Sequence, residues 1–328
     1  MSSRVSLRAE MAQIAALAGS VEQRADALLG CLRRVIPYHA AWIAVRDPET
    51  RTHRRVGSDG DIHALTRYFA LPEADDEVMA LGLNRSQPPV AASALPIPMA
   101  ETRAWGQYLL PAGFVDGMAM ALFTEDGRHL GFISLLTGDP RHRIASDVGL
   151  LAGFRPIIAR ALDRLPSFAA AAQLTGDVVG GIAITRAGRS VRVPGLPTHA
   201  LLDEGSAVLA AARRYAFAAG AVATFLSPWG GGLLRASVLD CRDESVDHLC
   251  SLVLIRPAGD AAHLGMSDVR LLGALVEGWD ADRIRAATGL SDPGGHARQL
   301  ARHLALPSTE ALVRHAAREG LHLPPMLW

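Results

Sequence analysis

The sequence contains no lysine, so all 33 of its basic residues are arginine. The absence of lysine excludes phosphate-loop and Schiff-base chemistry, because both depend on a lysine side chain. The three cysteines, Cys31, Cys241 and Cys250, are too few and too far apart for a disulfide framework or a zinc site. A small, odd number of cysteines is typical of a reducing compartment, so we expect a cytoplasmic protein.

Long apolar runs and an excess of one charge are also missing. No stretch approaches the roughly 18 apolar residues of a membrane span, and the first residues, MSSRVSLRAEMAQ, do not resemble a signal peptide. The 33 acidic residues equal the basic ones in number, so no overall field attracts nucleic acid or a membrane. No nucleophile elbow, paired carboxylates or metal-ligand set stands out. We therefore expect no enzyme activity, no cofactor and no metal.

The 328 residues are 49% apolar, which is enough for several cores and predicts two or three domains. Ser20 and Gln23 have the spacing of a capping box and predict a helix over 20–36, which Pro37 ends. The apolar run AWIAV, Ala41 to Val45, predicts a short strand. Residues 53–103 carry mixed polar segments and prolines, and they give no clear pattern.

Two further apolar runs, Met118 to Phe123 and Leu130 to Leu136, flank the turn residues Glu125 to Gly127 and predict a hairpin. A second helix is predicted from Ser146 onward. Its apolar residues recur at helical spacing, and they are Leu151, Phe154, Ile158, Ala161 and Leu165. This stripe is compatible with a dimer seam or with packing on the protein's own sheet.

The segments IPYHAAWIAVRDPET (Ile36 to Thr50) and LPAGFVDGMAMALFTEDGRHLGFISLL (Leu110 to Leu136) carry a family resemblance. Residues 1–165 resemble a GAF domain. The resemblance implies a curved antiparallel sheet with helices behind it and a small-molecule pocket or dimer face in front. An acyl-homoserine-lactone-binding domain, a quorum-signal receptor, is the alternative, and Trp105, Gly113 and Gly117 suit it.

The middle of the chain contains short alternating runs after a small-residue segment, 166–175, that predicts a linker. Strands are predicted at Gly181 to Thr185, Ser190 to Val193, Trp229 to Asp240 and Leu249 to Ile255, with a helix at Glu204 to Ala219. The glycines after Trp229 predict a bend or bulge. The order of these elements resembles a reduced PAS-like domain over residues 176–257. His248 and Cys250 can share a strand face, but no second pair of ligands accompanies them.

Residues 262–328 predict four short helices. Ser267, Asp280 and Ser308 are expected N-caps, and Gly278, Gly289 and Gly320 are expected to end three of the helices. The segment LLGALVEGWDADRIRAATGLS, Leu271 to Ser291, resembles the LuxR-type helix-turn-helix. The expected fold is therefore a multidomain α+β protein, with antiparallel-sheet GAF-like and PAS-like sensor domains followed by an all-α four-helix LuxR-type helix-turn-helix.

The resemblance implies that the third of these helices binds double-stranded DNA. The candidate DNA-binding residues are His296, Arg298, Gln299, Arg302 and His303. Arginine pairs with guanine and glutamine with adenine in the major groove. Two features differ from the family: the helix start, Asp292 to His296, is two residues shorter, and 262–328 holds seven arginines against seven acidic residues. DNA binding is therefore expected to be weak or salt-sensitive.

Taken together, these patterns predict a cytoplasmic, homodimeric transcription regulator that responds to a ligand or partner, with a small-molecule ligand in the GAF-like domain. One alternative is a regulatory interaction protein with a degenerate helix-turn-helix that does not bind DNA. The other is the acyl-homoserine-lactone-type signal receptor.

Overall fold

The protein is described from a computed structural model that covers residues 2–17, 19–85, 87–142, 144–174, 176–218, 222–241 and 248–328. The chain divides into two compact units, the first within Met1–Arg164 and the second formed by Leu165–Arg242 with Leu249–Trp328. Each unit contains its own five-stranded antiparallel sheet. The expected mixed α+β class with antiparallel sheets is confirmed.

The sheet of the first unit has the strand order β2-β1-β5-β4-β3. The elements of this unit are α1 (Ser2–Ala16), α2 (Val21–Arg33), β1 (Ala40–Arg46), β2 (His53–Asp59), α3 (His63–Phe69), α4 (Ala74–Ala80), β3 (Val90–Ala91), a π-helix (Ala104–Leu109), β4 (Asp116–Phe123), β5 (His129–Thr137) and α5 (Val148–Leu162), with short 3₁₀ turns at Ala92–Ala94, Met99–Glu101 and Ile144–Asp147.

The helix and the hairpin predicted for this unit are confirmed. At the start of α2 the backbone N–H of Gln23 donates to Ser20 Oγ at 3.2 Å, and the N–H of Ser20 donates to Gln23 Oε1 at 3.1 Å. Strands β4 and β5 pair antiparallel around the predicted turn, where Gly127 adopts a left-handed φ of 84°. Local sequence signals therefore determine these two features.

Alternation along β1 separates two apolar cores on the two faces of the sheet. Ala41 and Ile43 pack with α1, α2 and α5, whereas Ala40 and Trp42 pack on the opposite face. The stripe on α5 is buried in the first of these cores, so it packs on its own sheet. The dimer-seam interpretation of this stripe is wrong, and Leu165 belongs to the next helix.

Between residues 53 and 103 the structure contains elements that the sequence did not reveal. Strand β2, HRRVGSD, lies at the edge of the sheet, and two consecutive exposed arginines interrupt the alternation of apolar and polar residues that would indicate a strand. Helices α3 and α4 have seven residues each and no side-chain cap. Such short helices carry neither a clear apolar period nor a boundary signal.

The sheet of the second unit has the order β7-β6-β10-β9-β8, which is the strand order of the first sheet. Its elements are α6 (Leu165–Leu174), β6 (Gly180–Thr185), β7 (Ser190–Arg192), α7 (Ala207–Phe217), β8 (Val222–Trp229), β9 (Gly232–Asp240), β10 (Leu249–Pro257), α8 (Met266–Val276), α9 (Ala281–Thr288), α10 (Pro293–His303) and α11 (Thr309–Glu319), with short 3₁₀ turns at Ala200–Leu202, Gly259–His263 and Pro325–Leu327.

Two local predictions for this unit are wrong, and a third is correct only in part. The expected linker 166–175 largely forms α6, because its small residues Ala169 and Ala172 are buried against the sheet. The strand expected over Trp229 to Asp240 is present from Gly232 onward as β9, and the bend expected at the glycines is a hairpin turn in which Gly230 and Gly231 have positive φ. Helix α8 is capped at Gly265 rather than Ser267, and the Gly265 N–H donates to Asp268 at 2.9 Å.

The four C-terminal helices share a hydrophobic core with the second sheet. Leu226 of β8 is buried together with apolar residues of α8 to α11. Its N–H donates to the carbonyl of His322 at 2.8 Å, and the N–H of Leu323 donates to Val269 O of α8 at 2.9 Å. The segments expected to form a PAS-like domain and a helix-turn-helix thus lie in one compact unit.

Candidate functional site

A cavity of about 80 Å³ lies on the face of the first sheet that α3, α4 and the π-helix cover. Apolar side chains form most of its wall, and they include Leu65, Phe69, Val78, Trp105, Leu109 and Phe132. The cavity therefore suits a small and mainly apolar molecule.

Aromatic packing fixes one side of this cavity. Phe69 stacks on the buried Trp42 with ring centroids 4.8 Å apart, and it contacts Phe132 at the same centroid distance. Trp105 packs over Gly117, where an added Cβ would lie 3.0 Å from the Trp105 ring and 2.8 Å from Leu136. Glycine at this position is therefore required for the observed wall.

Glu77 and its partners fix the opposite side. The Tyr68 hydroxyl and the Arg103 N–H each donate to the Glu77 carboxylate at 2.5 Å, and the Ala104 N–H donates at 3.0 Å. Burial, together with this bond to Glu77, raises the pKa of Tyr68 well above its usual range, so the phenol keeps its proton. These contacts join α4 to the start of the π-helix.

The polar groups that face the cavity differ in whether they are free to form a hydrogen bond with a bound molecule. Thr102 donates to Met99 O and accepts from the Trp105 N–H. Ser134 of β5 is buried, and its hydroxyl has no hydrogen-bond partner within the described ranges. Ser134 can therefore exchange one hydrogen bond with a bound molecule.

A buried ion-pair cluster anchors α4 beside the cavity. Asp75 accepts two hydrogen bonds from Arg46 at 2.9 Å and one from Arg51 at 2.7 Å, and its side chain is 1% exposed. His53 Nε2 lies 3.8 Å from the same carboxylate. The hydrogen bonds from Arg46 hold the pKa of Asp75 at about 2. Burial lowers the pKa of His53 to about 4, so this imidazole is neutral at pH 7.

The structure brings together two of the three residues that suited the acyl-homoserine-lactone alternative. Trp105 and Gly117 both line the cavity. Gly113 instead occupies a turn with a φ of 88°, and an added Cβ would have no neighbour within 4 Å. The expected pocket in front of the sheet is present, and its occupant remains a prediction.

In the second unit, the segment Asp292 to His296, which was singled out as unusually short, forms a regular helix start. Pro293 is the first residue of α10, and the carboxylate of Asp292 accepts the Gly295 N–H at 2.8 Å. A Cβ on Gly295 would lie 2.1 Å from that carboxylate. Glycine therefore permits the tight cap, and the carboxylate occupies the anion-attracting end of the helix.

Four of the five candidate DNA-binding residues share one exposed face of α10. They are Arg298, Gln299, Arg302 and His303, and they lie opposite the buried Ala297, Leu300 and Ala301. The Arg298 side chain is 67% exposed and lies 3.9 Å from the Asp292 carboxylate. Residues spaced in this way on one helix face can contact successive bases in a major groove.

His296, the fifth candidate, is in a different environment. Its Nε2 lies 2.7 Å from Asp268 Oδ1, and its side chain is half-buried against α8. No local sequence pattern indicates this contact, because the two residues lie 28 positions apart. His296 therefore holds α10 on α8 and does not share the exposed face of the four other residues.

Three further features bear on the class of site. Cys250 is buried in the apolar core of the second unit, and its thiol lies 3.5 Å from Ala216 O. Within the described ranges, no three His, Cys, Asp or Glu side chains are grouped so as to hold a metal ion. In those ranges, too, every helix is too short or too polar to pass through a bilayer.

No protein-family model matches the sequence, and no curated protein is detectably similar to it. Solved structures with low similarity include a GAF domain of A. aeolicus nlh2, which is 15% identical with a TM-score of 0.34 over 48% of this chain and 94% of that one. The phycoerythrobilin-bound GAF domain of a cyanobacterial phytochrome is 13% identical, with a TM-score of 0.36 over 48% and 95% of the two chains.

The bacteriophytochrome RpBphP3 from R. palustris is 10% identical, with a TM-score of 0.39 over 77% of this chain and 63% of its own. At such identities and with TM-scores below 0.5, neither a fold family nor a ligand is transferred to this chain.

Proposed function

We propose that this chain is a small-molecule-regulated transcription regulator, with a GAF-like sensor in its first unit and a LuxR-type DNA-binding segment in α8 to α11. The exposed face of α10 carries the DNA-binding part of the proposal. Arg298 and Arg302 are one turn apart, as are Gln299 and His303, and no apolar side chain interrupts this face. The cavity of the first unit supports the sensing part, because its wall is apolar and Ser134 offers one free hydroxyl.

The proposed mechanism is a shift between two populations. A molecule that binds one arrangement of the first unit more tightly than another favours that arrangement in proportion to the difference in affinity.

We expect the double substitution Arg298→Ala with Arg302→Ala to weaken binding to duplex DNA by about tenfold or more, since a well-placed arginine contributes about 1–3 kcal/mol of base discrimination. Fluorescence anisotropy with the protein's own upstream DNA, at low and at moderate salt, measures this change. Arg318→Ala is the matched control, because Arg318 is an exposed arginine of the neighbouring helix that pairs with Glu319. If the double variant binds DNA as tightly as this control, α10 is not the DNA-reading helix.

We expect phenol, a small aromatic probe with one hydroxyl group, to raise the melting temperature of the full chain in a saturable manner. Ser134→Ala should weaken this effect by about fivefold, because one hydrogen bond is lost. Ala119→Leu should abolish it by filling the cavity, since Ala119 lines the wall. Thermal unfolding monitored by circular dichroism provides the measurement. An identical phenol response in parent and Ala119→Leu would place the probe elsewhere and contradict the sensing site.

The alternative, a protein-interaction module that does not bind DNA, is favoured by one observation. Asp292 places a carboxylate at the start of α10, where a DNA phosphate would otherwise approach the helix end. This alternative predicts no specific complex even at low salt. The anisotropy titration described above therefore discriminates between the two functions.

A further inference from the structure

Two arginines lie directly opposite each other in the second sheet. Arg235 of β9 is paired with Arg256 of β10, and on the other side of Arg235 the paired residue is Leu226 of β8. Residues that are directly opposite in an antiparallel pair point to the same face, with Cβ atoms about 4.5–5.5 Å apart. The two arginine side chains therefore extend from adjacent positions on one face of the sheet.

The adjacent row on this face supplies hydroxyl groups. Ser237 of β9 is paired with Thr224 of β8, and their hydroxyl oxygens are 3.4 Å apart. Arg256 donates to Ser237 Oγ at 3.1 Å. The face therefore combines two guanidinium groups with two hydroxyls, and both kinds of group donate hydrogen bonds to oxyanions.

The charge of this group is only partly compensated. Arg235 pairs with Asp260 at 2.7 Å, and the Arg235 side chain is 18% exposed. In the part of the chain that the structure describes, Arg256 has no carboxylate partner, and Ser237 is its one hydrogen-bond acceptor. The Nε atoms of both arginines are buried without a hydrogen-bond partner. Like charges in directly opposed positions repel each other. A negatively charged group bound between the two arginines would therefore stabilise this arrangement.

We propose that Arg235, Arg256 and Ser237 form a binding site for a small oxyanion, such as the phosphate or carboxylate group of a metabolite. An oxyanion would accept hydrogen bonds from the Nη1 groups of the two guanidiniums, since the bonds to Asp260 and Ser237 use only the Nη2 groups. It would also neutralise the charge that Asp260 leaves uncompensated. The half-buried position of the arginines suits a small anion and excludes the backbone of a duplex. This site is separate from the cavity and from α10, and it does not depend on the proposed function.

Asp260 competes with the anion for Arg235. Its side chain is 75% exposed, so it can move into solvent at little cost when an oxyanion takes its place. Asp260 lies in the turn Gly259–His263, which directly precedes α8. Anion binding is therefore expected to alter this turn.

The test is isothermal titration calorimetry of the full chain with inorganic phosphate and, separately, with acetate, at constant ionic strength and neutral pH. We expect saturable binding of at least one of the two, and the comparison identifies phosphate or carboxylate as the preferred group. Arg256→Gln should weaken binding by about tenfold, because a charge-assisted hydrogen bond is lost. Asp260→Asn should tighten binding by about fivefold, because it removes the competing carboxylate. The control Arg318→Gln should bind as the parent does.

The Asp260→Asn variant separates an effect on binding from an effect on folding, because a poorly folded variant would not bind the anion more tightly than the parent. No saturable heat with either anion contradicts the proposal. Equal affinities of parent, Arg256→Gln and Asp260→Asn also overturn it, because they would show an adventitious ion only.

Discussion

Replacing Asp75 by asparagine is expected to lower the free energy of unfolding of the first unit by about 3–5 kcal/mol, which is the usual cost of removing one partner from a buried ion pair. The substitution leaves the shape of the side chain nearly unchanged but removes the charge that Arg46 and Arg51 contact. The Arg46 side chain is 16% exposed, so water replaces the lost carboxylate only in part. Urea denaturation read by hydrogen exchange in peptides of the first unit measures the change.

Asp76→Asn is the matched control. Asp76 is the next residue of α4 and also pairs with Arg51, but its side chain is 66% exposed. An exposed pair contributes about 0–1 kcal/mol, so the control should remain close to the parent. Equal effects of the two substitutions would show that burial of Asp75 does not determine the stability of α4.

The same cluster predicts how stability depends on pH. The pKa of Asp75 is lowered from 3.8 to about 2, so its stabilisation is complete above about pH 4 and is lost as pH falls from there towards 2. The pKa of His53 is lowered from 6.5 to about 4, so the unfolded chain binds this proton first and stability falls as pH decreases from 6.5 to 4. Asp75→Asn should abolish the lower part of this profile. A variant profile that still parallels the parent below pH 4 would contradict the assignment to Asp75.

The anchoring of α4 has a consequence for the cavity. Asp75 fixes α4 to Arg46 of β1 and to Arg51 of the loop that follows β1. Glu77, two residues later, fixes α4 to the start of the π-helix. Neighbouring acidic residues on one short helix thus determine where the wall around Phe69 and Trp105 lies. Loss of either attachment is expected to change the shape of the cavity as well as the stability of the unit.

Features with local signals were predictable from the sequence. Asp280 and Ser308 cap α9 and α11 as expected, and Gly289 and Gly320 end these helices in the left-handed conformation. These features depend on residues only three or four positions apart. The exposed face of α10 was predictable for the same reason, because helical spacing alone assigns its residues to one side.

Features that depend on distant contacts could not be predicted. The segment Asp75, Asp76 and Glu77 reads as a solvated acidic run, yet the first side chain is buried, the second is exposed and the third faces the cavity. The arginines that bury Asp75 lie 24 and 29 residues earlier in the chain. In the same way, the contact between His296 and Asp268 spans 28 residues, so no local pattern separates His296 from the exposed residues of α10.

Replacing Gly273 by alanine is expected to lower the free energy of unfolding of the second unit by about 3 kcal/mol, at the upper end of the usual cost of overpacking. A Cβ on Gly273 would lie 1.8 Å from the carbonyl oxygen of Leu323. That oxygen belongs to the backbone, and the N–H of Leu323 also bonds to Val269 O, so no side-chain rotation relieves the clash. Helix α8 must therefore separate from the C-terminal segment that pairs with Leu226 of the sheet.

Gly153→Ala is the control for the intrinsic effect of alanine in a helix. Gly153 lies inside α5, and a Cβ there would have no neighbour within 4 Å. Alanine is favoured over glycine in a helix by about 1 kcal/mol, so this control should stabilise the first unit. Hydrogen exchange in peptides of β8 and α8 measures the effect of Gly273→Ala. Faster exchange in both elements is expected, because the helices and the sheet share one core. Exchange as slow as in the parent would show that the C-terminal segment around Leu323 does not pack against Gly273.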